Sequence, residues 1–302
     1  GIADAHRVFF AERLDGQNVK QWQQRKINDK MKVKRAKEKR GKLLNFKKAS
    51  AEVQAGLLEA RAVEWKKWVD FNAGIIIMGD MLNELLNEGY QEIPTQWIEV
   101  DKNEHQRKPN GPPVPPKYKS RLVGRGDLEK GIENIRSDSP TCDIEAQNMI
   151  FSFAASNRLK IKSIDITNAY FQGEEQDRLM LFKQPPGGLP GVPAEARILA
   201  RVPVYGTKDA GRKFWKKLRK TFIEAGLKEN HVMKALYSFC DADGVLQIMC
   251  GTHVDDLIWA ATPEYEHMIL KVTNAFKCGD PEEKCFRYCG KEVTQDDDFN
   301  IV

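Results

Sequence analysis

Residues 247–262, "QIMCGTHVDDLIWAAT", set two adjacent carboxylates, Asp255 and Asp256, between apolar runs. Two carboxylates about 4 Å apart repel by roughly 4 kcal/mol at an effective dielectric of about 20, and desolvation adds to that cost. Exposure at a turn, protonation or a bound cation would each relieve it, and Asp is at home in turns. A third acid, Asp165, lies in the β-branched stretch "KIKSIDIT" (160–167). If the two stretches are neighbouring strands, three carboxylates converge. Such a cluster suits Mg²⁺, a hard cation that accepts carboxylate and phosphate oxygens. Two such ions would serve in-line phosphoryl transfer to an attacking 3′-hydroxyl.

Cations occur in two places that would complement such a site. In "KYKSRLVGR" (117–125), a strand would put Lys117, Lys119 and Arg121 on one face, with Arg125 following. Three aligned cations call for an anion across them or mark an exposed edge strand. In "KDAGRKFWKKLRKTFIEAGL" (208–227), Phe214, Trp215, Leu218 and Phe222 form an apolar helical stripe. Arg212, Lys213, Lys216, Lys217, Arg219 and Lys220 cover the rest, and Gly226 is a stop signal. Both segments would meet a triphosphate or a nucleic-acid backbone.

The elements that must hold these groups are legible by period. Helices are expected over 50–72, with Ser50 as N-cap, over 78–90, ended by Gly89, over 142–159 and over 263–277, with Pro263 at the start. Strands are expected over 95–103, 117–125, 160–167 and 198–206. In the strand around Asp165, Ile161, Ser163 and Asp165 share one face while Lys162, Ile164 and Ile166 share the other. The acid pair sits at or beside the turn of a hairpin. A final hairpin pairs 285–293 with 298–302 through an acidic turn.

Composition bounds the rest. The chain has 302 residues, 41% hydrophobic and 30% charged, which is enough for one elaborate domain or two smaller ones. No apolar run approaches the roughly 20 residues of a membrane-spanning helix, and no signal peptide is visible. Six cysteines without a CxxC pair are expected to be reduced and mostly buried. Net charge is +5, but residues 1–50 alone carry +10, so a basic arm precedes a slightly acidic body and suits a polyanionic partner or nuclear targeting. The Gly start and the end inside a strand suggest a fragment of a longer polypeptide.

The ordered motifs resemble the reverse transcriptases of copia-type LTR retrotransposons. "DITNAYFQG" (165–173) is similar to that family's first catalytic motif, and "YKSRLVGRG" (118–126) to its fingers motif. "QPPGG" (184–188), "VYGTKDAGRKFW" (204–215), "HVDD" (253–256) and "RYCGKEV" (287–293) resemble its later blocks, in order. The resemblance implies an α+β right-hand polymerase fold of fingers and palm, the palm a small antiparallel sheet backed by helices. Beyond the basic arm that charge marks over 1–49, it implies fingers over 50–140 and a palm over 141–262 with an insertion around 180–200. The end of the palm would occupy 263–302, cut before thumb and RNase H.

On this resemblance, Asp165 and Asp255 are direct metal ligands and Asp256 is the adjacent acid, with Mg²⁺ as cofactor and Mn²⁺ as substitute. Tyr170 is the ring under the incoming sugar. Lys119, Arg121, Arg125 and Gly206 belong to the dNTP site. Lys208, Arg212, Lys216, His253, Tyr288 and Gly290 contact the template–primer. The implied partners are RNA or DNA template–primer, dNTPs and other parts of the polyprotein such as integrase and RNase H, with no membrane. The implied location is a cytoplasmic retroelement particle or the nucleus. The chain departs from the family with His253 in place of Tyr, Asp209-Ala210-Gly211 in place of Gln-Ala-Pro, and Cys289 in place of Leu. His253 keeps a planar ring beside the metals. Asp209 is expected to bring negative charge to the template path. A degenerate relative that binds nucleic acid without catalysis, or an assembly module within a polyprotein, are the alternative readings.

Overall fold

The computed structural model describes residues 43–108 and 111–302. The basic arm over 1–49 and its charge therefore lie almost wholly outside the described residues. Contacts divide the chain into two compact units, residues 1–64 with 97–121 and residues 65–96 with 122–302.

Two long elements run through both units: helix α1 (Ala51–Asp70) and the strand pair β3 (Thr95–Asp101) and β4 (Tyr118–Gly124). Ser50 caps α1 weakly, its Oγ 3.4 Å from the Val53 amide. In the first unit, Arg61 of α1 is buried against Glu99 of β3 at 2.7 Å, its guanidinium over the Phe46 ring at 4.1 Å. A buried Arg is tolerable there because a carboxylate and an aromatic face replace its water. The strand expected over 95–103 is β3, and the basic strand is β4. Lys117 falls just before it, and Lys119 and Arg121 are half-buried on it.

In the second unit, a four-stranded sheet has the order β1 (Gly74–Ile77), β7 (Arg197–Ala200), β6 (Leu181–Lys183), β2 (Glu92–Ile93). Helix α2 (Gly79–Asn87) follows β1 and is stopped before Gly89, which has φ 84°. The strand expected over 198–206 ends at Ala200, because the residues beyond it turn rather than extend.

The larger sheet of this unit is antiparallel throughout, with the order β12 (Glu282–Glu283), β5 (Lys162–Asp165), β11 (Asp256–Ala261), β10 (Leu246–His253), β9 (Leu236–Cys240), β8 (Lys228–Glu229). Alternation along β11 sends Leu257 and Trp259 to one core and Ile258 and Ala260 to the other. The first core is closed by Phe214, Leu218 and Phe222 of α4 (Ala210–Glu224) and by Met268, Ile269 and Val272 of α5 (Glu266–Asn274). The second is closed by Ala146, Ile150 and Phe153 of α3 (Ile144–Ser156) and by a hairpin of β13 (Cys285–Tyr288) and β14 (Lys291–Thr294). Each large apolar side chain so buried contributes about 1.5–3 kcal/mol before its ordering entropy is counted. Gly251 lets α3 approach β10: a Cβ there would meet Cys142 Sγ at 2.7 Å and Ile150 Cδ1 at 2.8 Å.

Three expectations are corrected. The last hairpin does not pair 285–293 with 298–302. It turns at Cys289 (φ 49°) and Gly290 (φ 79°), and a bridge from Gln295 to Ile301 ties on the end. The glycine makes the tight left-handed turn available well before the acidic segment. The cysteines are free but not mostly buried: Cys142 and Cys250 are, Cys278 and Cys289 are half-buried, and Cys240 and Cys285 are exposed. Trp215, expected in the α4 stripe, is only half-buried.

Candidate active site

The two acidic stretches are neighbours. β5 and β11 pair so that Asp165 lies opposite Asp256, while β10 and β11 close on the pair His253 and Asp256. Val254 and Asp255 are therefore the two residues of the turn, and Val254 has φ 57°. A left-handed conformation is costly for a β-branched residue. It is held here by two anchors, Ile166 N to Asp255 O at 2.8 Å and Cys142 N to Thr252 O at 2.8 Å. On the other side of Asp165, Gly279 N donates to Asp165 O at 2.9 Å.

This backbone brings oxygen atoms of Asp165, Asp255 and Asp256 within 4.8 Å of one another. Asp165 is exposed and the other two are half-buried. Burial first, and then the charges of Asp255, Asp165 and Glu282, push the Asp256 carboxyl up to about 6. Like charges held together are what a divalent cation relieves, and all donors are hard carboxylate oxygens. The residues present thus fit Mg²⁺ or Mn²⁺. The Nδ1 of His253 is buried beside the acid pair without a hydrogen-bond partner.

After Asp165 the chain turns through Asn168 (φ 50°) into a short 3₁₀ turn, Ala169–Gln172, which carries Tyr170. The Tyr170 ring lies 4.7 Å from the Tyr205 ring, centroid to centroid. Gly206 has φ 91°, and a Cβ there would meet Gly124 O at 2.2 Å.

Residues 84–300 match the family described as "Reverse transcriptase (RNA-dependent DNA polymerase)". The chain belongs to that reverse transcriptase family. Two Arabidopsis thaliana relatives are similar to it: the Retrovirus-related Pol polyprotein from transposon RE2, 24% identical over 47% of this chain, and that from transposon RE1, 25% identical over 55%. This reverse-transcriptase chain spans about a tenth of the length of either polyprotein, with 10% of the first and 11% of the second covered. The likeness to retrotransposon reverse transcriptases read from the ordered motifs is borne out.

The remaining residues singled out in the sequence are spread more widely. Arg125 is bidentate to Asp127, at 2.8 and 2.9 Å. Lys208 Nζ donates to Ile132 O at 2.6 Å, and Arg212 pairs with Asp138. Lys216 stays exposed, 4.0 Å from Glu174. Lys119 and Arg121 belong to the other unit. Tyr288 is corrected: its ring is 1% exposed within the core, so it offers no side-chain surface to a nucleic acid, whereas Gly290 beside it is exposed. Asp209 is corrected too. It is 5% exposed and held by Arg178, which also binds Glu129 at 2.8 Å, so its charge is compensated within the fold. Burial opposes the Arg178 charge, but these two carboxylates more than offset that and raise its pKa.

Three participants were not singled out in the sequence. Glu282, whose charge reaches Asp256, sits on a two-residue edge strand too short to show a period. Arg178 partners acids 49 and 31 residues away, with no local signal. Tyr205 did carry one, since it stands in "VYGTKDAG" beside Gly206. Among the described residues, no helix is long and apolar enough to cross a membrane.

Proposed function

We propose that this chain is the fingers and palm of a retrotransposon RNA-directed DNA polymerase, adding dNTPs to a primer 3′-hydroxyl on an RNA or DNA template. The observation that carries the reading is the convergence of three carboxylates, from positions 90 residues apart, on one strand pair and its turn. In this reading residues 50–140 are fingers, 141–262 palm with an insertion around 180–200, and 263–302 the end of the palm. Asp165 and Asp255 hold Mg²⁺ or Mn²⁺, with Asp256 the adjacent acid. Bound there, the cations supply positive charge for the carboxylates and for a triphosphate.

The chain's own residues do the positioning. The turn at Val254 and Asp255 fixes the acids, so that no reorganisation is needed when charge develops. Tyr170 presents its ring to the incoming sugar, where a 2′-hydroxyl would collide with it, which selects dNTP over rNTP. Arg125, in the same unit as the acids, contacts the triphosphate after exchanging Asp127 for phosphate. Lys208, Arg212 and Lys216 of the basic helix region, His253 and the Gly290 turn face the template–primer. The rest of a longer polyprotein, including integrase and RNase H, would act alongside.

A second reading, nucleic-acid binding without catalysis, is favoured by His253. An imidazole with a buried, unpartnered nitrogen stands where the resembled family has Tyr. Primer extension on poly(rA)–oligo(dT) with Mg²⁺ or Mn²⁺ separates the two. The polymerase reading expects extension by the chain and none by Asp255→Asn. Extension that survives the substitution would sink the assigned site. Template binding without extension by either protein would favour the second reading.

A further inference from the structure

Tyr170 does not stand alone on its turn. The Tyr205 ring packs on it at 4.7 Å with 36° between planes, and packs edge-on against Phe171 at 5.4 Å. Phe171 is buried and in turn meets Trp68 edge-on at 5.3 Å. An aromatic column thus runs from the half-buried Tyr170 ring down into the unit's core. Aromatic pairs at these separations are directional, so each ring limits the tilt of the next.

The backbone under Tyr205 is equally constrained. Tyr205 O accepts from Gly124 N at 2.7 Å. Gly206, next in the chain, has φ 91° and no room for a Cβ against Gly124 O. Gly126 closes the same contact from the other side, where a Cβ would lie 2.7 Å from Gly206 O. Tyr205 therefore rises from a segment that cannot shift without breaking a close backbone packing. The 3₁₀ turn that carries Tyr170 is only four residues long and starts from a left-handed Asn168. The first core also packs against the Tyr170 ring, so Tyr205 supplies one wall of its pocket and the core another.

We propose that Tyr205 is a positioning residue for sugar selection, holding the Tyr170 ring at the tilt that excludes a 2′-hydroxyl. This rests on the reading of Tyr170 as the sugar gate. Tyr205 does not touch the reacting atoms. Its ring supplies a wall. Removing the wall lets Tyr170 swing aside, so the 2′-hydroxyl is admitted while deoxynucleotide binding changes little.

The test measures equilibrium binding of dATP and ATP by the full chain on a template–primer ended with a dideoxynucleotide, in Mg²⁺, so that no turnover is needed. Tyr205→Leu should lower the ratio of the ATP to the dATP dissociation constant by roughly three- to tenfold, mainly by tightening ATP. Tyr205→Phe, which keeps the ring, should leave the ratio as in the parent chain. A ratio unchanged in Tyr205→Leu but collapsed in Tyr170→Ala overturns this proposal and spares the gate. A ratio near one in the parent chain overturns the gate reading and this proposal together. Should Tyr205→Leu not fold, ¹⁹F NMR of the 3-fluorotyrosine-labelled parent chain decides. Resonances of both Tyr170 and Tyr205, assigned by Tyr→Phe substitution, should move on saturation with dATP, and movement of Tyr170 alone counts against the coupling.

Discussion

Glu92 and Asp256 are both half-buried acids on strands of the same unit, and the chain treats them oppositely. At Glu92, burial pulls the carboxyl up, but hydrogen bonds and charge from Arg197 and Lys183 outweigh it and hold it below its ordinary range. At Asp256, burial and three carboxylates act in the same direction and push it up to about 6. Three other acids are likewise met by cations: Asp209 by Arg178, Asp177 by Lys213 and Asp138 by Arg212. Where Asp165 of β5 meets the β10–β11 turn, like charges stand together instead, an arrangement that a bound cation would relieve.

The contrast can be broken at several points. The largest effect is expected for Asp255→Asn, which should lower primer extension by about a hundredfold or more. Extension assays at saturating Mg²⁺ check this, and a loss under tenfold would remove Asp255 from the metal site. Arg178→Met should follow, because it leaves Glu129 and Asp209 buried without their guanidinium. A destabilisation of about 2–4 kcal/mol is expected from denaturant melts. Retained stability would mean that water replaces the arginine.

Two subtler substitutions sharpen the comparison directly. Arg197→Met should convert Glu92 into an Asp256-like acid, raising its pKa and lowering stability by about 1 kcal/mol. A pH titration of the labelled Glu92 carboxyl by NMR reads the rise, and no rise would show that Lys183 suffices. Asp256→Asn should do the opposite and stabilise the metal-free chain. The Asp256 carboxyl has a folded pKa raised above its unfolded one, so its contribution is full below about 4 and is lost as pH rises through about 6. With the shift discounted for solvent screening, the variant should gain about 1 kcal/mol at pH 7, or about 2–4 °C in melting temperature, and nothing at pH 4. An equal gain at both pH values would assign the effect to packing instead.

Much of this was legible in the sequence because it is local. The α4 stripe of Phe214, Leu218 and Phe222 has a 3.6-residue period, and the β10–β11 hairpin has apolar runs around a two-residue turn. Asp165 could be joined to the hairpin only conditionally, since strand neighbourhood across 90 residues leaves no local trace. The pairing of Asp165 with Asp256 supplies that link. What was misread is non-local in the same way. Asp209 reads as negative charge on the template path, but Arg178, 31 residues away, closes on it. Tyr288 looked like a contact residue until α3 and β10 enclosed it with Cys142, Ile150 and Met249. The final hairpin was misplaced because the acidic segment is a strong turn signal, whereas Cys-Gly is a weaker one than Asn-Gly.

The central claim, that the acid cluster is a cation site, is tested most directly by cation binding itself. Thermal unfolding of the chain and of Asp165→Asn, titrated with Mg²⁺ at pH 7.5 and pH 5, is the measurement. The account predicts a saturable rise in melting temperature for the parent chain at pH 7.5. That rise should be weaker at pH 5, where Asp256 with its carboxyl near 6 is protonated, and absent in the variant at both. The same Mg²⁺-dependent rise in parent and variant would contradict it.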